Sequence, residues 1–303
     1  MGHIITDLKE AFRRGNVYIQ LIFINVGVFV ITTLIGILLQ LFNRSAAGIF
    51  ELLALPASFT RFAWQPWSIF TYMFMHAGFL HILFNMLWLY WFGALFLYFF
   101  SGKHLRGLYI VGGICGGLLY MISYNVFPYF RPMTAYSTMV GASASVLAIV
   151  VATAYREPNY PVRLLFFGNV RLKYLALIVV LTDLLFITSS NAGGHIAHLG
   201  GALAGLWFAA SLNKGKDITS WVNKALDAIA ALFSAKTWKR KPKMKVHYGN
   251  NTRQNDYDYN ARKKAQSDEI DRILDKLKKS GYESLTTEEK NRKILLFVLR
   301  VLF

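Results

Sequence analysis

The sequence predicts an all-α polytopic membrane protein, a bundle of six transmembrane helices followed by short cytoplasmic helices. Apolar residues make up 55% of the 303 residues and are concentrated between Val17 and Leu212. Several runs in this region reach the roughly 20 apolar residues that a helix needs to cross a bilayer. Basic residues separate these runs and are unevenly distributed between the two sides that the runs define.

The six predicted spans form one membrane domain, residues 17–212. Their predicted bounds are Val17–Phe42, Leu80–Phe100, Leu105–Phe127, Thr138–Tyr155, Tyr174–Ser189 and His195–Leu212. A long loop rich in Phe, Trp and Tyr, residues 43–79, joins the first two spans and is too apolar for a solvated linker. Aromatic side chains accumulate at membrane interfaces, so we expect this loop to lie in the interface on one side.

The Lys and Arg residues in the short loops predict the orientation of the spans. One side carries Lys9, Arg13, Arg14, Lys103, Arg106, Arg156, Arg163, Arg171 and Lys173, whereas the other carries Arg44, Arg61 and Arg131. Positive charge favours the cytoplasmic side, which places both termini in the cytoplasm and the aromatic loop outside. Residues 1–16 are then a cytoplasmic N-terminal segment.

Three cytoplasmic segments are predicted after the last span. They are an amphipathic helix with a basic stretch (213–246), a flexible linker (247–266) and a small pair of helices (267–303). The amphipathic helix is compatible with a position on the membrane surface or with an ordinary soluble helix. More than half of the net charge of +17 lies in this tail. Its position beside the spans predicts anionic lipid as the partner and excludes nucleic acid.

Several polar residues lie at membrane depth, where polar groups cost free energy and are therefore candidates for function. His81 and Asn85 share one face of the second span near its outer end, and both can donate hydrogen bonds to a developing oxyanion. Ser143 lies two residues after Gly141 at the start of the fourth span, at the same predicted depth. The free N–H groups of a helix N-terminus favour negative charge there. His198 is a candidate base in the sixth span.

Each of these motifs taken alone also has a structural interpretation. Buried polar groups mostly hydrogen-bond locally, and small residues in membrane helices mostly serve packing. Two rows of mostly small residues run along the sixth span, Gly194–His198–Ala202 and Ala197–Gly201–Gly205. They predict that the row carrying His198 lies against the helix carrying Ser143, which places a hydroxyl nucleophile beside a possible base.

Taken together, the motifs resemble those of the rhomboid family of intramembrane serine proteases. The resemblance covers about Trp67 to Leu212. The matched pieces are His81-x-x-x-Asn85, Gly141-x-Ser143 and Ala197-His198-x-x-Gly201, in the order and topology of the family. The chain is most similar to bacterial-type members with a six-span core, here with an added cytoplasmic tail. A multi-pass protein of a bacterial inner or plasma membrane is therefore expected.

The resemblance implies a role for each matched residue. Ser143 would be the nucleophile and His198 the general base, in a dyad without a carboxylate. His81 and Asn85, with the Ser143 amide, would form the oxyanion site, and Gly141 and Gly201 would be supporting small residues. The implied activity needs no cofactor and no metal, and its substrates are membrane proteins cleaved near their extracytoplasmic end. We expect those substrates to enter between spans beside the fifth one.

Three positions depart from the family pattern. Ala144 replaces the usual Gly after the nucleophile, and Ser68 replaces the Arg of a Trp-Arg motif. Leu147 replaces a Tyr one turn after the nucleophile, whose ring would stack on the base. His198 therefore lacks its usual orienting neighbour.

The main alternative is a catalytically silent rhomboid-like protein that binds membrane clients. A zinc protease is disfavoured by the absence of a His-Glu-x-x-His motif. An aspartyl protease needs two spanning carboxyl groups, and Asp183 is the single candidate. A metal site of His195 and His198 with His76 or Asp183 lacks a supporting carboxylate–histidine spacing. Two interpretations of Asp183 stay open: a bond to a neighbouring span, or a neutral carboxyl at membrane depth.

Overall fold

The computed structural model describes residues 15–164 and 168–232, Phe12, and scattered positions between 261 and 288. The chain divides into two compact units, Met1–Trp238 and Lys239–Phe303. In the second unit, residues 263–265 and 278–280 are helical. Most of the predicted basic stretch, linker and C-terminal helical pair lies outside the described residues.

The described part of the first unit is mainly helical. Its elements are α1 (Val17–Leu41), α2 (Ala47–Leu53), β1 (Leu55–Pro56), α3 (Phe59–Trp64), α4 (Ser68–Thr71), α5 (Phe79–Phe99), α6 (Gly102–Val126), β2 (Thr138–Met139), α7 (Ser143–Arg156), β3 (Pro161–Leu164), β4 (Gly168–Arg171), α8 (Leu172–Leu185), α9 (Ala192–Asn213) and α10 (Ser220–Leu232). Two 3₁₀ turns, Tyr72–Phe74 and Arg131–Met133, complete the set.

The chain is an all-α polytopic membrane protein. Helices α1, α5, α6 and α9 are long and apolar enough to cross a membrane. Helices α7 and α8 occupy the fourth and fifth predicted spans but have 14 residues each. At 1.5 Å per residue they extend about 21 Å, which is less than the hydrocarbon thickness of a bilayer. That the chain crosses the membrane six times therefore stays a prediction.

Helix α7 lies at the centre of the bundle, packed between α6 and α9. Eleven of its 14 residues, from Ala144 to Ala154, are buried. The predicted close approach of α9 is confirmed: a Cβ atom built on Gly201 or Gly205 would collide with the backbone oxygen of Ala144 or Ala148. This backbone contact is made at Gly201 and Gly205, in the row next to the one that carries His198. Glycine has no Cβ, so the two backbones can touch.

The aromatic loop is folded against the bundle rather than extended. Within it, β1 pairs antiparallel with β2, with Leu55 opposite Met139 and Pro56 opposite Thr138. The hydroxyl of Tyr72 donates to the backbone oxygen of Gly113 in α6 over 2.6 Å. The fourth span was predicted from Thr138, but the chain is extended there because of the β1–β2 pair, and α7 begins at Ser143.

Two further features were not foreseen from the sequence. The basic loop after α7 contains an antiparallel hairpin, β3 with β4, in which Pro161 lies opposite Arg171. Helix α10, the predicted amphipathic helix, packs on the start of α6. Arg106 donates to Asn223 at 3.0 Å and to Asp227 at 2.9 Å. One face of α10 is therefore occupied by the protein itself.

Candidate active site

The segment leading into α7 is shaped by a glycine. Gly141 has a φ of +134°, which side-chain-bearing residues rarely adopt, and its N–H donates to the backbone oxygen of Tyr72 over 2.9 Å. A Cβ atom at this position would lie 2.9 Å from Nε2 of His81. Gly141 therefore allows the turn, and it also allows the His81 ring to approach the start of α7.

Ser143 is the first residue of α7, so it lies at the helix N-terminus as expected. Its side chain is half-buried and lines a cavity. Ser145, two residues later, is 0% exposed, and its hydroxyl has no hydrogen-bond partner among the described residues. Of the two serines in this motif, Ser143 is the one that a ligand in the cavity can reach.

His81 presents its Nε2 atom towards the start of α7. The backbone N–H of Ala77 donates to His81 Nδ1 over 3.4 Å. A neutral imidazole has one donor and one acceptor nitrogen, so an accepting Nδ1 leaves the hydrogen on Nε2. That N–H points to the side where Gly141 and Ser143 lie.

His76 packs against His81 with ring centroids 5.1 Å apart. Burial lowers the pKa of His76 to about 4, and the neighbouring His81 adds to the effect. Because this value lies well below 7, His76 is uncharged at neutral pH and places no positive charge beside His81.

Asn85 lies one turn after His81 in α5 and is buried. Its side-chain amide donates to the backbone oxygen of His81 over 2.9 Å. A side-chain amide carries two N–H groups, so this bond engages one donor and leaves another for a ligand.

His198 lies in the second turn of α9, and its ring is held by a carboxylate. Its Nδ1 is 2.8 Å from Oδ1 of Asp183 in α8. The Nδ1 of His195 is also 2.8 Å from the same oxygen. Of the two interpretations of Asp183 left open by the sequence, the structure therefore contains the bond to a neighbouring span.

The carboxylate partner of His198 was not predicted. The sequence left two interpretations of Asp183 open and named His195 only as part of a disfavoured metal site. One signal could have found this contact: burying a charge without a partner costs free energy, so an acid at membrane depth is expected to have one. Which of several spans supplied that partner depended on helix packing. Asp183, His195 and His198 also place one potential metal-ligand atom each within 4.8 Å of one another.

A cavity of about 660 Å³ brings together the four residues with predicted chemistry. Its lining includes His81, Asn85, Ser143 and His198. A second cavity of about 220 Å³ also reaches Asn85, Ser143 and His198, and its remaining wall is apolar, from Phe84, Trp88, Val146, Leu147 and Val179. The site therefore has a polar region beside the serine and an apolar region extending between α5 and α8.

Comparison with known proteins matches this region. The family model of the Rhomboid domain matches residues 63–214, about half of the chain. The chain is similar to "RHOMBOID-like protein 12, mitochondrial" of Arabidopsis thaliana, at 29% identity over 158 residues. This match covers 49% of the chain and 47% of the relative, so the chain spans about half the length of that curated relative. A family of unknown function, DUF6576, matches residues 254–292 in the tail.

Proposed function

This chain belongs to the rhomboid family, and we propose that it is an intramembrane serine endopeptidase acting on membrane proteins. Ser143 is the proposed nucleophile and His198 the proposed general base. His81 and Asn85 are proposed to stabilise the oxyanion. The observation that carries the proposal is that all four side chains line a single cavity, because these groups must meet around one peptide bond to act on it.

In the proposed reaction, Ser143 Oγ attacks the carbonyl carbon of the scissile bond while its proton passes to Nε2 of His198. The carbonyl oxygen becomes an oxyanion, which the His81 Nε2–H, the Asn85 amide and the Ser143 backbone N–H stabilise. The C–N bond then breaks as His198 returns the proton to the leaving nitrogen. Water hydrolyses the resulting acyl-enzyme by the same path, with His198 as base.

The apolar cavity supports a route for the substrate. Phe84 and Trp88 of α5 and Val179 of α8 line it beside the serine. A transmembrane substrate moving in the bilayer would meet this wall between the second and fifth predicted spans. The peptide must be extended at the cleavage point, because the amides of an intact helix are shielded. Substrates with small or helix-destabilising residues there are therefore favoured.

The distribution of charge supports cleavage near the extracytoplasmic end. Arg156 ends α7 and donates to Asn213 at the end of α9 over 3.0 Å. Ser143 and His198 lie near the starts of the same two helices. Because Arg156 is on the side that the basic residues assign to the cytoplasm, the cavity faces the other side. We propose this orientation, with both termini cytoplasmic, in a bacterial inner or plasma membrane.

The alternative function is binding of membrane clients without cleavage. Two departures from the family pattern favour it: Ala144 directly after the nucleophile, and Leu147 in place of the ring that would stack on the base. Against it, the chain retains both the serine and the histidine.

Reconstituted cleavage of a model single-span substrate separates these functions. We expect cleavage by the native chain and a loss of at least about 10³-fold in Ser143→Ala. Ser145→Ala is the matched control, because it removes a buried hydroxyl without a partner from the same helix. It should cleave like the native chain. Equal cleavage by native and Ser143→Ala would overturn the proposal.

A fluorophosphonate probe tests the nucleophile independently of the choice of substrate. It should label the native chain and Ser145→Ala at Ser143, but not Ser143→Ala. A folded native chain that binds a membrane client, is not labelled and does not cleave it would establish the binding function instead.

A further inference from the structure

We propose that Asp183 is a positioning residue for the base, so that the site works through Ser143, His198 and Asp183; the inference rests on the proposed function. Oδ1 of Asp183 is 2.8 Å from Nδ1 of His198. This is the length of a charge-assisted hydrogen bond. Asp183 does not line either cavity at the serine, so it acts on the reaction through His198.

The hydrogen bonds around the carboxyl group fit its ionised form. Asp183 is 4% exposed, and its Oδ2 has no hydrogen-bond partner among the described residues. A proton on Oδ2 would therefore be a buried donor without an acceptor, which is costly. A proton on Oδ1 could serve only one of the two imidazole nitrogens that contact this atom. An ionised Oδ1 accepts from both His195 and His198.

If Asp183 Oδ1 accepts a hydrogen bond from His198, the tautomer of His198 is fixed. Its Nδ1 must carry the hydrogen that Asp183 accepts, and a neutral imidazole then has its lone pair on Nε2. Nε2 is the atom that must receive the Ser143 proton. With the opposite tautomer, Nε2 would carry a hydrogen and could not act as a base.

Asp183 also stabilises the charge that forms during the reaction. When Ser143 Oγ bonds to the substrate carbonyl carbon, its proton moves to His198 Nε2 and the imidazole becomes positive. The proton on Nδ1 stays on His198, and Asp183 stays ionised, so the pair is then oppositely charged. Because Asp183 is buried, such a charge pair is worth more here than in bulk water.

Two neighbours support this assignment. Leu147 lines the same cavity as His198 and has no polar atom with which to orient the ring. His195, one turn before His198, donates to the same Oδ1 and so holds the carboxylate in place. The His198 ring is therefore oriented by Asp183 in α8 rather than by a side chain of α7.

A metal centre is the competing interpretation of these three residues. Ligands around tetrahedral zinc, with bonds of 2.0–2.1 Å, lie roughly 3.3 Å apart. The two N–O separations here are 2.8 Å, which is shorter and typical of hydrogen bonds. The geometry therefore favours direct contact between the imidazoles and the carboxylate.

The test compares Asp183→Asn with the native full-length chain in proteoliposomes. Asn has the shape of Asp but lacks the charge, and its amide can donate to Nδ1 and stabilise the wrong tautomer. We expect kcat to fall by about 10²–10⁴-fold with KM nearly unchanged. The rate of fluorophosphonate labelling at Ser143 should fall by the same factor. Thr182→Ala, the exposed neighbour in α8, is the matched control and should keep native kcat.

His195→Gln should have a smaller effect than Asp183→Asn, because His195 contacts the carboxylate and not Ser143. Native kcat and native labelling in a folded Asp183→Asn would overturn the proposal. If the native chain itself neither cleaves nor is labelled, the proposed function fails first, and the two failures are thus distinguishable.

Two measurements on the native chain need no variant. ¹⁵N NMR of histidine-labelled protein should show His198 with its hydrogen on Nδ1, and a hydrogen on Nε2 instead would overturn the assignment. Activity should be the same after chelation with EDTA and after addition of Zn²⁺. Loss of activity on chelation, restored by Zn²⁺, would establish a metal centre in its place.

Discussion

Helices α7 and α8 have the same length and opposite surroundings. Eleven of the 14 residues of α7 are buried, whereas only Leu172, Ala176 and Asp183 are buried in α8. Helix α7 is held by backbone contact with α9, and α8 is attached near its end by the two bonds of Asp183. The proposed nucleophile therefore lies at the start of a largely buried helix, and the residue proposed to orient the base lies on a largely exposed one.

This difference suits a protease whose substrate arrives from the bilayer. The start of α7 must keep Ser143 and its backbone N–H in place, because a misplacement of about 1 Å is costly to catalysis. Helix α8 borders the apolar cavity through Val179 and has few buried side chains to restrain it. A substrate that displaces α8 would also disturb the bond between Asp183 and His198, so the proposed entry route and the proposed orientation of the base would be connected.

Among the substitutions that test this comparison, the largest combined effect on stability and cleavage is expected at the contact between α7 and α9. Gly201→Ala places a methyl group against the backbone oxygen of Ala144, which cannot rotate away. We expect a loss of about 3 kcal/mol in stability and of at least about 100-fold in cleavage, since α7 and α9 must separate. Thermal unfolding in detergent and the cleavage assay measure the two losses.

Gly27→Ala is the control for this substitution. Gly27 lies in α1, and a Cβ atom there meets nothing within 4 Å. Its stability and activity should match those of the native chain. A fully active, stable Gly201→Ala would contradict the view that α7 is held by backbone contact.

The next effect compares one isoleucine in each helix. Ile149 in α7 is 0% exposed, and Ile178 in α8 is 58% exposed. Ile149→Ala should lower the free energy of unfolding by about 2–4 kcal/mol, because it leaves a cavity in the core. Ile178→Ala should change it by less than about 1 kcal/mol. Equal losses at the two positions, measured by unfolding in mixed detergent, would remove the distinction between a packed and an exposed helix.

The smallest effect is expected at the apolar cavity. Val179→Ala shortens one wall of the small cavity without removing a polar contact. Stability should hardly change, while preference should move towards substrates with a larger residue at the cleavage point. A change of roughly tenfold in relative kcat/KM is expected, the usual worth of one or two methyl groups in a pocket. Unchanged preference across a series of substrates would show that the substrate does not touch α8.

The positions of the helices followed well from the sequence. The six predicted spans match α1 and α5 to α9 within a few residues at most ends, because an apolar run is a local property of the chain. The clearest error was at Thr138, where pairing with Pro56 keeps the backbone extended. That pairing joins residues far apart in the sequence, and no local sequence pattern predicts it. The attachment of α10 to Arg106 was missed for the same reason. The β3–β4 hairpin was also missed, although it pairs two neighbouring segments of the chain.

The amino-acid sequence by itself determined an apolar helical bundle of the rhomboid family, with a serine at one helix start and histidines at the same depth. Hydropathy and charge are sufficient for the helical bundle, because each acts within one helix or one loop, whereas the family follows from the resemblance of the motifs. Only the tertiary structure decided that Ser143 faces the cavity while Ser145 is buried, and that Asp183 meets His198. Both outcomes depend on how α7, α8 and α9 pack together, and a contact between helices is not encoded in any one of them.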